Sequence, residues 1–296
     1  DVLVTGYDIL FLWVSRMEVS GYHFMGERPF KTVLLHGLVL DEKGQKMSKS
    51  KGNVIDPLEM VERYGADALR FALTYLATGG QDIRLDLRWL EMARNFANKL
   101  YNAARFVLLS REGFQAKEDT PTLADRFMRS RLSQGVEEIT ALYEALDLAQ
   151  AAREVYELVW SEFCDWYLEA AKPALKAGNA HTLRTLEEVL AVLLKLLHPM
   201  MPFLTSELYQ ALTGKEELAL EAWPEPGGRD EEAERAFEAL KQAVTAVRAL
   251  KAEAGLPPAQ EVRVYLEGET APVGENLEVF RFLARADLLP ERPAKA

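Results

Sequence analysis

From about Ile83 to the proline- and glycine-rich stretch near Pro224, every strong apolar pattern in this chain repeats with the period of a helix, and that constrains the fold more than any other feature. Glu91–Leu109 carries Phe96, Leu100, Ala103 and Val107 as one apolar stripe at spacings of three and four. Leu123–Ala145, Leu148–Lys172 and Leu183–Leu197 repeat the pattern. His198-Pro199-Met200-Met201-Pro202 interrupts the series before a last helix at Phe203–Leu212. Each such helix must bury its stripe against another, so the middle of the chain is predicted to be an α-helical bundle.

The first eighty residues read differently. Val2–Val4 is a short apolar strand ending at Thr5-Gly6, and Ile9, Leu12, Trp13, Arg16 and Met17 follow at helical spacing, with Asp8 placed to cap them. Thr32–Leu40 is apolar almost throughout rather than alternating, as a parallel strand covered on both faces would be. Strand, helix, strand makes a βαβ unit, and in open α/β sheets ligands sit at the carboxyl ends of the strands. Asp56-Pro57 then reads as an N-cap followed by proline at the first helical position. That helix runs to about Tyr64 and Gly65 breaks it, with Asp67 placed to cap a second helix through Leu76. At the other end, Pro224-Glu225-Pro226-Gly227-Gly228 reads as a linker. A long charged helix over Glu231–Ala254 and an alternating strand over Val262–Leu266 complete a small α/β module. Three domains are therefore expected, at 1–80, 81–225 and 229–296.

Composition narrows the function. A formal charge of −11 argues against a bulk polycation, so any nucleic acid must be held by local patches. The single cysteine, Cys164, rules out an internal disulfide and a thiolate metal cluster, and His23, His36, His181 and His198 show no ligand spacing. No zinc or other metal site is expected in this chain. No apolar run reaches membrane length, so no membrane partner is expected. Asp1-Val2-Leu3-Val4 opens directly inside what reads as a strand, so the chain is taken to be a piece of a longer polypeptide.

Within this frame one stretch is neither helix nor strand. Lys43–Asn53 places four lysines, two serines and two glycines in eleven positions, directly after the apolar run that ends at Leu40. Glycine and serine let a loop bring its backbone close to a ligand, and lysine supplies movable point charges suited to phosphate. A solvated surface turn has the same composition, so the neighbouring residues decide between the two.

Those neighbours carry a resemblance. Lys46-Met47-Ser48-Lys49-Ser50 resembles the second signature of the class I aminoacyl-tRNA synthetases. His36-Gly37, Gly52-Asn53 and Tyr64–Arg70 look like the subclass that activates Val, Ile, Leu and Met. Arg94–Phe106 resembles the first helix of that subclass's anticodon-binding domain, and His198–Phe203 with Glu207-Leu208-Tyr209 is similar to another of its segments. Thr5–Val14 and Glu162–Glu169 look like the branch whose amino acid is valine. The isoleucine and leucine branches, and a tRNA-binding module that has lost catalysis, are the alternatives.

The resemblance implies a fold, a reaction and partners. The fold is α/β, the C-terminal half of a Rossmann-type catalytic domain, followed by the bundle and the junction module. The reaction is ATP-dependent formation of valyl-adenylate and transfer of the acyl group to tRNA(Val). Its cofactor is ATP with Mg2+, its setting the cytoplasm, and the intact enzyme a monomer. Lys46 and Lys49 would hold the departing pyrophosphate. Met47, Ser48 and Ser50 would shape the loop or touch phosphate, and Asp8, after Gly6, would take the ribose hydroxyls unless it is a plain N-cap. Gly37 would let backbone approach the adenine, with main-chain groups of Leu38 and Val39 beside it. Trp13 would wall the amino-acid pocket unless it is an ordinary core tryptophan. Asn95, Lys99, Asn102 and Phe106 form one row on a helix, with Arg88 just before, and suit splayed anticodon bases. Arg126, Arg129 and Arg131 read as a solvated helix start rather than phosphate contacts.

The family's first signature, of the His-x-Gly-His type, has no match here, and the editing domain and C-terminal arm that accompany it are not found. The chain alone is therefore expected to be inactive and to need the N-terminal half of the same polypeptide.

Overall fold

In the computed structural model, residues 1–268 and 270–290 are described, Lys49 by its backbone alone. Strand β1 (Val2–Gly6) pairs in parallel with β2 (Thr32–His36), joined by helix α1 (Ser15–Met25). The entry to α1 is a 3-10 turn at Tyr7–Ile9 and a π-type turn at Leu10–Val14, with Gly6 and not Asp8 at the cap position. The expected single strand over Thr32–Leu40 is two. At Gly37 the chain changes partner, and β3 (Val39–Leu40) pairs with β4 (Ile83–Arg84), beyond helices α2 (Pro57–Tyr64) and α3 (Ala66–Leu76). The faces of β1 and β2 are not covered as the apolar run suggested: Val2, Val4 and Thr32 are exposed and Val33, Leu34 and Leu35 half-buried.

The Asp56-Pro57 start of α2 forms as expected, with the Asp56 carboxylate accepting from the Leu58 amide at 2.9 Å. Asp67 does not cap its own helix. Gly65 occupies that position with φ 92°, which suits a residue without a Cβ. The buried Asp67 carboxylate instead accepts from the Phe203 and Leu204 amides, at 3.3 and 2.6 Å. Two of the unpaired donors at the start of a distant helix are thereby satisfied.

The bundle is α4 (Leu87–Arg111), α5 (Leu123–Glu144), α6 (Leu148–Glu157), α7 (Leu168–Ala177), α8 (Ala180–Leu197) and α9 (Pro202–Thr213). Phe96, Leu100, Ala103 and Val107 of α4 are all buried, joined by Leu90, Ala93 and Ala104. The predicted helix over Leu148–Lys172 is interrupted by a π-type turn at Leu158–Tyr167 and continues to Ala177 with Pro173 inside it. Helix α10 (Glu231–Glu253) lies along α5, with Phe127 stacked on Phe237 at 4.2 Å. Beyond it, β5 (Val262–Val264), α11 (Ala271–Glu275), α12 (Leu277–Ala284) and β6 (Ala286–Leu288) form the last unit, with β5 and β6 parallel. One buried apolar cluster runs from Met60 to Ala286, across the expected boundaries near 80 and 225.

Two buried charges brace this frame. Asp125 accepts from the Tyr167 and Thr182 hydroxyls, each at 2.7 Å, and from the Thr122 amide at 3.0 Å. Lys251 donates to the carbonyls of Pro258, Gln260, Ala284 and Arg285 at 2.6–3.3 Å. Arg126, Arg129 and Arg131 are not a solvated helix start. Arg126 holds Asp230 at 2.8 Å, Arg129 holds Glu188 at 2.5 Å, and Arg131 lies 3.9 Å from Glu162, tying α5 to its neighbours.

Candidate functional site

Two sets of predicted residues fall in two places. The first lies where β1 and β3 end. Gly6 is buried, and a Cβ there would meet the Asp8 carboxylate at 2.7 Å, so glycine makes room for that side chain to fold back. Lys46 comes to 3.7 Å from that carboxylate, a nearly solvated contact with the lysine side chain 69% exposed. The predicted ribose acceptor and the predicted pyrophosphate lysine thus face each other.

The loop between them has a definite shape. Lys46 returns beside Leu40 as an antiparallel bridge, after a turn in which Gly44 has φ 74°. Asp41 sits at the base of that turn. Its carboxylate accepts from the Lys43 and Gln45 amides at 3.0 and 2.7 Å and from the Asn53 side chain at 2.8 Å. These donors hold the Asp41 carboxyl below the usual carboxylate range, the Asn53 hydrogen bond most of all. Ser48 Oγ and Ser50 Oγ are 3.2 Å apart, and half-buried Met47 accepts from the Ile55 amide through sulfur at 3.5 Å. The assigned role of Lys49 lies outside the described side chains.

Gly37 has a reason within the chain itself. A Cβ there would lie 1.8 Å from the Gln81 carbonyl, so the glycine is required by the chain's own close approach. Leu38 is likewise engaged: its amide donates to Asp82 at 2.8 Å, and its carbonyl accepts from the Ile83 amide at 2.7 Å. Val39 lies in the ladder opposite Ile83. Asp82, unremarked in the sequence, also accepts from the Tyr7 hydroxyl at 3.4 Å and so links the two strand ends. Trp13 is half-exposed on the π-type turn and is not a core tryptophan.

The second place is the outer face of α4. Asn95 and Asn102 are exposed, Lys99 and Phe106 half-buried. A cavity of about 310 Å³ is lined by Lys99, Asn102, Phe106, Asp165, Leu168 and Lys172. Lys99 is 2.5 Å from Asp165 and lies 3.7 Å above the ring of Trp160. Lys172 approaches the Phe106 ring at 5.6 Å. Asp165, Lys172 and Trp160 come from the π-type turn and α7, and no spacing on α4 announces them. Arg88 is drawn back onto Asp86, the residue that caps α4, at 2.6 Å. Cys164, beside the cavity, is buried as expected, and burial pushes its thiol up to about 12.

The strand-end region and the helical bundle are each similar to parts of known tRNA ligases. Residues 1–86 match the model of class I tRNA synthetases (I, L, M and V), and residues 125–266 match the anticodon-binding domain of tRNA ligase. Proteins similar to it include valine–tRNA ligases. The Thermus thermophilus enzyme is 99% identical over the whole chain. The Deinococcus radiodurans enzyme is 49% identical over 98% of the chain, and the Bacillus subtilis enzyme 40% over 95%. The chain spans about a third of these relatives, 34%, 36% and 33% of their lengths respectively.

Solved structures agree on the fold. A ternary complex of Agrobacterium radiobacter LeuRS with tRNA and LeuAMS superposes with a TM-score of 0.62 at 23% identity, over 79% of this chain and 29% of that one. Mycobacterium tuberculosis methionyl-tRNA synthetase with methionyl-adenylate gives 0.61 at 22% identity, over 77% of this chain and 49% of that one.

Proposed function

We propose that this chain is the part of a valine–tRNA ligase that supplies the lysine loop to ATP and the bundle to the anticodon of tRNA(Val). The observation that carries the first half is that Lys46 and Asp8 meet at the strand ends, 3.7 Å apart, so a carboxylate for ribose hydroxyls and a lysine for phosphate can engage one nucleotide that enters and separates them. In the first step the valine carboxylate attacks the α-phosphate of ATP. The bond to the bridging oxygen breaks, and pyrophosphate leaves with the electron pair. Lys46 and Lys49 stabilise the charge that builds on it. Asp8 accepts from the ribose hydroxyls, and Ser48 and Ser50 hydrogen-bond phosphate. Trp13 walls the side of the valine pocket. In the second step the acyl group moves to a ribose hydroxyl at the 3′ end of tRNA(Val).

The second half rests on the α4 cavity, whose volume, aromatic wall and polar edges suit a splayed base. Phe106 would stack, while Asn102 and Asp165 would meet hydrogen-bonding edges, with Asn95 and Lys99 beside them. Arg88 would need to leave Asp86 to take part. The division into 1–80, 81–225 and 229–296 assigns the loop to the first region and the cavity to the second. Among the described residues no three His, Cys, Asp or Glu side chains gather into a metal-binding group, and no helix is long and apolar enough to cross a membrane. Mg2+ is accordingly proposed to enter with the phosphates of ATP, and the complete enzyme to act as a cytoplasmic monomer.

The test is valine-dependent exchange of pyrophosphate into ATP, with this chain alone and joined to the remaining part of the enzyme. No exchange by the chain alone and full exchange by the joined form are expected. Exchange by neither, with the joined form folded, would reject the reading.

A further inference from the structure

We propose that Asp41 and Asn53 are positioning residues for adenylate formation: as a joined pair they hold the backbone of Lys46–Ser48 in the shape that meets the nucleotide. The proposal rests on the reading of the loop just given. The Asp41 carboxylate takes the Lys43 and Gln45 amides on one oxygen and the Asn53 amide group on the other, the last at 2.8 Å. Asn53 in turn accepts from the Ser48 amide at 2.9 Å and donates to the Lys46 carbonyl at 3.4 Å. Asn53 thus grips both ends of Lys46–Ser48, and Asp41, twelve residues away, holds Asn53 and the turn that leads into that segment.

The loop needs such a grip. Lys43, Lys46, Lys49 and Lys51 repel one another, and Gly44 and Gly52, at φ 74° and 66°, leave the backbone free to take many shapes. A carboxylate at its base offsets part of that repulsion. Fixing the shape before ATP arrives removes an ordering cost from the reaction step. The grip lies entirely within residues 41–53, so the loop can close over ATP and open again as one body without losing it.

The test uses the complete valine–tRNA ligase that contains this chain, with four variants: Asp41→Asn, Asn53→Ala, the exchange Asp41→Asn with Asn53→Asp, and Lys46→Ala as reference. Pyrophosphate exchange is measured for kcat and for the KM of ATP and of valine, together with the melting temperature. Asp41→Asn sets two amide donors against each other, and a small displacement of a reacting group costs on the order of a hundredfold, so kcat should fall roughly 10- to 100-fold. The KM for valine and the melting temperature should hold. The exchanged pair restores a donor facing an acceptor and should recover most of kcat. If Lys46→Ala is slow while Asp41→Asn and Asn53→Ala run at the wild-type rate, the proposal falls and the loop reading stands. An exchanged pair no better than Asp41→Asn, or a loss of melting temperature and valine KM in step with kcat, also overturns it. If Lys46→Ala is itself as fast as wild type, the loop reading falls and takes the proposal with it.

Discussion

Replacing Lys99 by alanine should weaken binding of an anticodon stem-loop, chiefly because of the carboxylate it leaves behind. Lys99 Nζ lies 2.5 Å from Asp165 and 3.7 Å above the Trp160 ring. The two charged side chains are 25% and 50% exposed, so the pair is screened and contributes only about 0.2–1 kcal/mol to stability. The contact with Trp160 adds about 0.5–1 kcal/mol. The fold therefore loses about 1–2 kcal/mol, too little to unfold a bundle with this core. Binding is penalised as well, because a cation disappears and Asp165 faces the RNA unpaired. A combined penalty of about 1.4 kcal/mol is about tenfold in Kd. Fluorescence anisotropy with a labelled stem-loop of tRNA(Val) at fixed salt reads it directly. Adding Asp165→Asn should recover about half of the loss in free energy, since neutralising that side chain removes a repulsion of up to about 1 kcal/mol. An unchanged Kd in Lys99→Ala, or a double variant that binds more weakly than the single one, would refute this reasoning.

Other expectations concern the frame. Lys251→Met removes the donor to four carbonyls, that of Ala284 buried, and should cost about 2–4 kcal/mol in urea unfolding. Burial already depresses the Lys251 pKa, so relief of that desolvation opposes the loss, and a variant as stable as wild type would show that it wins. Cys164 should resist alkylation at pH 8 in the folded chain and react once unfolded, because its thiol is pushed up to about 12. The sign follows: the folded state holds this proton more tightly than the unfolded chain, so the contribution is intact below the unfolded value of 9.0 and is lost as pH rises toward 12. Rapid labelling of the native chain at pH 8 would contradict this.

What could be read in advance followed from period and from neighbours. The α4 stripe is buried as its spacing required, and the Asp56-Pro57 start of α2 forms because a cap and its proline are adjacent in sequence. Partners distant in sequence were not legible. Thr32–Leu40 divides at Gly37 because β3 pairs with β4, more than forty residues on, and nothing within the run shows that. Asp67 caps α9 rather than its own helix because tertiary packing brings Phe203 and Leu204 to it. The lysine loop was visible from composition, but its shape depends on Asp41 and Asn53, whose link has no period. Asp165 stayed hidden for a like reason, since it reaches the α4 face from another helical segment.

The separation of two jobs, phosphate chemistry in the loop and RNA recognition in the bundle, is tested most directly by one comparison. In the complete enzyme, Lys46→Ala and Lys49→Ala are assayed for valine-dependent pyrophosphate exchange and for the Kd of an anticodon stem-loop. Loss of one charged contact to the leaving group costs about 2–4 kcal/mol, so exchange should slow by roughly 30- to 1,000-fold. The Kd should stay within about twofold of wild type, since Lys46 is not among the residues that line the α4 cavity and Lys49 belongs to the same loop. Wild-type exchange in both variants, or exchange and RNA binding falling by the same factor, would contradict the account.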